Sequence, residues 1–455
     1  MNDEREWMTA MRGKIVLIGG GSPYFETVIG ELALQPELAG WSVVLYDVNP
    51  KSMRLIRRIG GRILEMTGAK LKLSMTTDTA RAFDGADFAI SSIGVHGPDA
   101  RWHMRDCEVC VDFGIVHTTG DTTGPAGLSQ GLRIIPIYMK IARAMEKHCP
   151  DAILLQHSNP MNPICRAITK HTRINVLGYC HAVKQDIDWM GEVLGIDRDE
   201  LDVTIAGPNH MCWLLDVRHK GRDVYPELKR RILRGKPQDR HTFIREALGL
   251  LDLVAIGADR HAIEFFPHAR CCTDEKNLPY NFVGRAISIR EGRVARARRG
   301  EPTEVQLKAA GRRKIPRPRR SPEAMGAQIR AMAFGPPIIH YVNTTNRGAV
   351  PNLPDWANIE CKAIVGSGGA RPAFAGELPP QAARWSMAQV QAQELMVEAA
   401  VEGCRRKALM ALACDPMMLN FDEVEPLFDA IVAAQGPRLA RFRKKGPSPR
   451  RKGRN

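Results

Sequence analysis

The 455-residue sequence has no apolar run approaching the roughly 18 residues a membrane span requires, so a helical membrane protein is excluded. Its first residues, Met1-Asn2-Asp3-Glu4-Arg5-Glu6, lack the basic-then-apolar layout of a secretory leader. The eleven cysteines are odd in number and follow no regular spacing. They do not read as a disulfide framework, and the expectation is a reduced, cytoplasmic protein. No C-x2-C pair is matched by a second one, which excludes a zinc finger. The lone C-x-x-C, Cys107 and Cys110, falls on a predicted helix and reads as core or surface thiols.

Acidic residues are also in short supply, and the chain carries a net charge of +15. That charge is local. Residues 285–320 hold a surplus of +10 and residues 438–455 a further +9, which leaves −4 for everything else. Neither segment interleaves aromatics with its basic residues as a base-stacking surface does. Both are therefore read as a solvated loop and tail rather than as a nucleic-acid interface.

What is present is ordinary globular composition, 44% hydrophobic and 25% charged, in a chain long enough for two packed domains without disulfide support. Short β-branched runs alternate with amphipathic stretches in the first half, the pattern of βαβ units around a parallel sheet. Predicted strands are Lys14–Ile18, Trp41–Tyr46, Asp87–Ile93, Ala152–Gln156, Ile174–Leu177 and Val203–Ala206. Predicted helices are Thr27–Leu34, Leu128–Lys147 and Gln389–Leu412. Pro316 and Pro318 mark the basic stretch 285–320 as a mobile loop.

The first strand runs into Gly19-Gly20-Gly21-Ser22, a turn whose glycines permit positive φ and let backbone N–H groups approach a pyrophosphate. The third glycine of the dinucleotide fingerprint is missing, since Tyr24 follows. Asp47 closes the second strand, where a carboxylate accepts hydrogen bonds from ribose hydroxyls and disfavours a 2′-phosphate. Gly19, Gly21, Ser22 and Asp47 thus form a candidate NAD site, and the fold class is α/β: a Rossmann-type parallel-sheet domain with a second α+β domain. The expected division is 13–200 and 201–436, with a disordered basic tail over 437–455.

Two further polar clusters sit at strand ends, Gly178-Tyr179-Cys180-His181 and Gly207-Pro208-Asn209-His210-Met211-Cys212-Trp213. One thiolate and one imidazole from separate strands leave an ion with open positions, which suits a catalytic site. A buried structural cysteine and a satisfied core histidine fit the same spacing.

The run His117-Thr118-Thr119-Gly120-Asp121-Thr122-Thr123-Gly124-Pro125-Ala126-Gly127 resembles glycoside hydrolase family 4. So do Cys149-Pro150-Asp151-Ala152, Asn159-Pro160-Met161, the two clusters above, the stretch from Val342 to Pro354, and Gln393–Ala400. The resemblance spans roughly residues 13–435 in order. It implies a fold like lactate and malate dehydrogenases, and a divalent metal, usually Mn2+, on Cys180 and His210. It places Asp121, Asn159 and Asn209 around the substrate. It also implies a route in which NAD+ takes hydride from sugar C3, a base removes the C2 proton, elimination expels the glycosidic oxygen, water adds and C3 is re-reduced. The two-carboxylate route of most glycosidases differs from this one. By resemblance, Cys180-His181 matches members acting on unphosphorylated α-glycosides (α-galactosides, α-glucosides or α-uronides), with His181 as general acid. Asp259 falls where some members place the base, although it equally reads as a helix cap. The implied partners are a small carbohydrate and further copies of the chain, as dimer or tetramer. The competing reading is an NAD-dependent 2-hydroxy-acid dehydrogenase on the same fold.

Overall fold

The computed structural model describes residues 13–95, 101–235, 241–257, 259–266 and 298–444, together with Gly292, Ala295 and Arg296. Among these residues one sheet of thirteen strands forms the spine. Its first six strands are β1 (Lys14–Ile18), β2 (Ser42–Tyr46), β3 (Lys72–Thr76), β4 (Phe88–Ser91), β5 (Ile153–Gln156) and β6 (Asn175–Gly178). They lie in the order 3-2-1-4-5-6 and every neighbouring pair is parallel. This is the doubly wound dinucleotide-binding order, whose ligands sit beyond the carboxyl ends of the strands. The predicted α/β class and the strand placements hold, with shifts of one or two residues at the ends. The first helix starts at Tyr24, three residues earlier than predicted.

The remaining strands continue the sheet: β7 (Leu201–Gly207), β8 (Cys212–His219), β9 (Arg222–Asp223), β10 (Ala255–Ile256), β11 (Ile338–Thr345), β12 (Asn358–Gly366) and β13 (Gly369–Pro372). Here the pairing turns antiparallel. Gly178 of β6 pairs with Asn343 of β11, β12 follows, and β7, β8 and β10 complete that edge. The consequence is positional. The ends of β6 and β7, both followed by polar residues, come level across β11 and β12 in the row Gly178, Asn343, Glu360 and Gly207.

Local chemistry accounts for the flanking helices. Pro50–Thr67 is opened by Asn49, whose side chain accepts the amides of Lys51 and Ser52, and is followed by Gly68 in the left-handed region. The helix Gly124–His148 is buried on every side from Gly124 through Ile135, because the sheet lies on one face and later helices on the other. Such all-round burial explains its Leu/Ile-rich first half.

Three expectations need correction. Gln389–Leu412 is not one helix but parts of two, Pro380–Glu402 and Arg405–Ala413. Gly403, at φ 70°, ends the first in a left-handed cap that the apolar periodicity does not reveal. The basic stretch 285–320 contains an ordered helix, Glu304–Ala309, opened by a Thr303/Gln306 capping box. Lys308 of that helix pairs with Glu26 at 2.8 Å, and Ile315 beyond it is buried. The tail is folded at its start, because Leu439 and Phe442 of the 3-10 segment Gly436–Phe442 are fully buried and Phe442 packs edge-on against Phe428. Residues 445–455 and much of 285–297 lie outside the described residues. Cys107 and Cys110 are both buried core thiols. No helix among the described residues is long and apolar enough to cross a membrane.

Candidate active site

The glycine turn is built for close approach. Gly19 has φ +83°, and a Cβ there would meet the Ser92 carbonyl oxygen at 2.4 Å. A Cβ on Gly21 would meet Ser52 at 2.5 Å, so neither position accepts a side chain. The Gly21 amide donates to Oδ2 of Asp47 at 2.9 Å, and the Asn49 amide to Oδ1 at the same distance. The carboxylate expected to face a ribose thus also ties the turn to the end of β2. Ser22 Oγ lies 3.4 Å from Ser92 Oγ on the next strand end. In place of the fingerprint's third glycine, the Tyr24 ring packs on His157 at 5.0 Å. A side-chain-free cradle with a carboxylate beside it fits a dinucleotide.

Farther along the same edge, Cys180 follows β6 and His210 occupies the turn between β7 and β8. Cys180 Sγ and His210 Nε2 are 3.5 Å apart. His210 takes a left-handed φ of 67°, and Gly257 presses so near its carbonyl oxygen that a Cβ would lie 2.8 Å away. Hydrogen bonding settles its tautomer. Thr122 Oγ1 donates its single proton to Asp121 Oδ1 at 2.7 Å, so it accepts from His210 Nδ1–H at 3.1 Å. Nε2 is then the lone-pair nitrogen, and it faces the thiol. Burial keeps the ring uncharged, lowering it to about 4, which is the state a metal ligand needs. Burial also pushes the Cys180 thiol up, and a divalent cation beside it would favour the thiolate. These donors fit a divalent metal.

The structure brings other residues to this pair. Ligand atoms of Asp121, His210 and His261 lie within 4.8 Å of one another, and the His261 ring stacks on His210 at 3.8 Å. Asn159 donates to Asp121 at 2.8 Å and Asn209 to Glu360 at 2.8 Å. The Oδ1 atoms of both asparagines are buried and without a hydrogen-bond partner among the described residues, two acceptors facing the site. His181 begins the helix Ala182–Leu194, with its side chain 45% exposed and Nδ1 3.7 Å from Glu323 Oε1, a placement open to a leaving group.

Asp259 is placed differently. Its two carboxylate oxygens accept the amides of Phe243 and Ile244 at 2.9 and 3.0 Å, closing the N-terminus of the helix Thr242–Leu251. The cap reading is the one the geometry favours, though for the preceding helix and not its own. Burial raises this carboxyl to about 6. Each oxygen already accepts one backbone amide and keeps one further acceptor direction, so these contacts show a cap, and the base role stays an expectation.

Sequence reasoning passed over His261, Glu264, Glu323 and Glu360. For His261 the signal was at hand. It stands two residues after Asp259 on the one-turn helix Asp259–Ala262, and two residues of helix place side chains on nearly opposite faces.

Comparison with known proteins gives the family and the fold. The profile described as "Family 4 glycosyl hydrolase" matches residues 14–196, and that of the family's C-terminal domain matches residues 205–418. An α-galactosidase of Bacillus subtilis (strain 168) is 29% identical over 94% of this chain and 100% of its own. An α-galacturonidase of Lachnoclostridium phytofermentans is 27% identical over 92% of this chain and 95% of its own. A 6-phospho-α-glucosidase from gut microorganisms, solved in complex with NAD and Mn2+, shares the fold. Its TM-score is 0.77 at 21% identity, over 94% of this chain and 99% of that one.

Proposed function

The chain belongs to family 4 of the glycosyl hydrolases, and on that footing we propose that it hydrolyses an unphosphorylated α-glycoside with NAD and a divalent metal, Mn2+ foremost. The family match displaces the 2-hydroxy-acid dehydrogenase reading. The observation that carries the proposal is the Cys180–His210 pair, 3.5 Å apart at the strand edge that also bears the glycine turn.

The contacts described above support the following roles. Gly19 and Gly21 leave room for a pyrophosphate at their backbone, with Ser22 beside them. Asp47 has two oxygens, each already holding one amide, and each retains acceptor capacity for a ribose hydroxyl. Cys180 Sγ and His210 Nε2 hold the metal, and Thr122 fixes the His210 ring through its other nitrogen. The Oδ1 atoms of Asn159 and Asn209 orient sugar hydroxyls, with Asp121 held by Asn159 and Thr122. His181 delivers a proton to the leaving oxygen, and the Glu323 carboxylate 3.7 Å from its Nδ1 lies beside the ring. When bound, the redox cofactor and the Lewis acid supply what side chains lack, since a C–H beside a hydroxyl is too weak an acid for any of them.

The α-galactosidase relative makes α-galactosides the leading substrate, with α-glucosides and α-uronides behind. The division into domains at about residue 200 and assembly into a homo-oligomer belong to the same proposal. A panel of aryl α-glycosides and α-uronides, assayed with NAD+, Mn2+ and a thiol reductant, tests it. Turnover of one of them without net NADH supports the reading. Net NADH from a 2-hydroxy acid and no glycoside cleavage rejects it.

A further inference from the structure

Glu264 lies more than fifty residues in sequence from both proposed metal ligands and is 1% exposed. Its Oε1 gathers three donors: the Thr119 amide at 2.7 Å, the Gly120 amide at 2.8 Å and His117 Nδ1 at 3.2 Å. Successive amides converge on one anion in this way when the chain turns through a left-handed residue, and Gly120 has φ +68°. A Cβ on Gly120 would meet Cys107 Sγ at 2.8 Å, so the turn accepts only glycine. A second staple lies four residues back, where the Thr118 and Thr119 hydroxyls both donate to the Arg260 carbonyl.

Asp121 follows this turn directly, and His261 lies between the two staples. Both reach His210, one through Thr122 and one by ring stacking. Burying a carboxylate is costly and adds little net stability, so its yield is a single geometry rather than free energy. We propose that Glu264 is a positioning residue: by holding the His117–Gly120 turn to the Asp259–Phe265 segment it sets Asp121 and His261 around His210, and through them the metal site. The inference rests on the metal reading of Cys180 and His210.

The test uses the full chain. Mn2+ affinity is read by electron paramagnetic resonance titration and NAD+ affinity by fluorescence, beside Tm, kcat and KM on the best aryl glycoside. Glu264→Ala is expected to weaken Mn2+ binding and lower kcat by about tenfold or more each, the scale seen when a partner of a metal ligand is removed. NAD+ affinity stays near its parental value, because the glycine turn and Asp47 are untouched. Glu264→Gln keeps an acceptor for the two amides and recovers most of the loss. Parental Mn2+ affinity and kcat in Glu264→Ala overturn the proposal, as does an equal loss of NAD+ and Mn2+ affinity, or a Gln variant as damaged as the Ala one. If Glu264→Ala does not fold, the double variant Thr118→Val/Thr119→Val removes the second staple alone, and it must weaken Mn2+ binding with Tm maintained or the proposal fails. A parent enzyme that binds no Mn2+ overturns the metal reading instead.

Discussion

Cys180 Sγ stands 3.5 Å from His210 Nε2 although thirty residues separate them, and Thr122 holds the far nitrogen of the ring so that the lone pair points at the sulfur. Two donors so placed would hold one corner of an ion's shell and leave the rest open to substrate. Replacing the thiol tests the pair. Cys180→Ser should weaken Mn2+ binding by about 10- to 100-fold or more, since a neutral hydroxyl replaces a thiolate. Mild oxidants should inactivate the parent and a thiol reductant restore it, because sulfenic acid and disulfides are reversible. Unchanged Mn2+ titrations in the serine variant would remove Cys180 from the site.

At the other end of the sheet edge, Asp47 faces two backbone amides. Asp47→Ala should weaken NAD+ binding by about 1.5–3 kcal/mol, the range for a hydrogen bond to a charged group. Mn2+ affinity should stay parental. Superimposable NAD+ titrations would disprove the ribose role.

Asp259 separates cap from base. Its carboxyl is raised by burial to about 6, so between roughly pH 4 and pH 6 the folded chain keeps a proton that the unfolded chain has released. Stability therefore falls as pH rises through that window, by an amount on the order of 2–3 kcal/mol. Asp259→Asn, which cannot ionise, should flatten that slope in denaturant titrations. Its kcat should remain within about tenfold of the parent, whereas loss of a true general base costs about 10²–10⁴. A loss on the larger scale with folding intact would return Asp259 to the chemistry.

His181 is expected to matter in proportion to how poor the leaving group is. His181→Ala should cut kcat on alkyl α-glycosides by about 10²–10⁴ while nitrophenyl glycosides, whose leaving group needs no proton, lose far less. Equal losses on both would make His181 a structural neighbour of Cys180.

Much of this site was legible because strand ends announce themselves. The apolar run Lys14–Ile18 stops at glycines, Asp47 terminates the next run, and Cys180 and Asn209-His210 follow two others, so periodicity set each at a strand end, while the resemblance to family 4 implied that they share a site. What stayed hidden depends on tertiary contacts. Glu264 and Glu360 belong to no motif singled out in the sequence, yet both are 1% exposed because backbone amides or asparagine side chains meet them inside. Gly403 interrupts a helix that its apolar flanks continue on either side, and only its left-handed φ of 70° shows the break. Phe442 sits in a run of basic residues whose composition says tail, while its ring is fully buried against Phe428.

The most direct measurement is hydrolysis of the best α-glycoside in D2O with NAD+ and Mn2+, followed by NMR or mass analysis of the released sugar. An oxidation–elimination route breaks the C2–H bond and must return solvent hydrogen there, so the account predicts deuterium at C2 of the product. A two-carboxylate glycosidase never opens that bond. Full turnover with protium retained at C2, and no requirement for NAD+, would contradict the account.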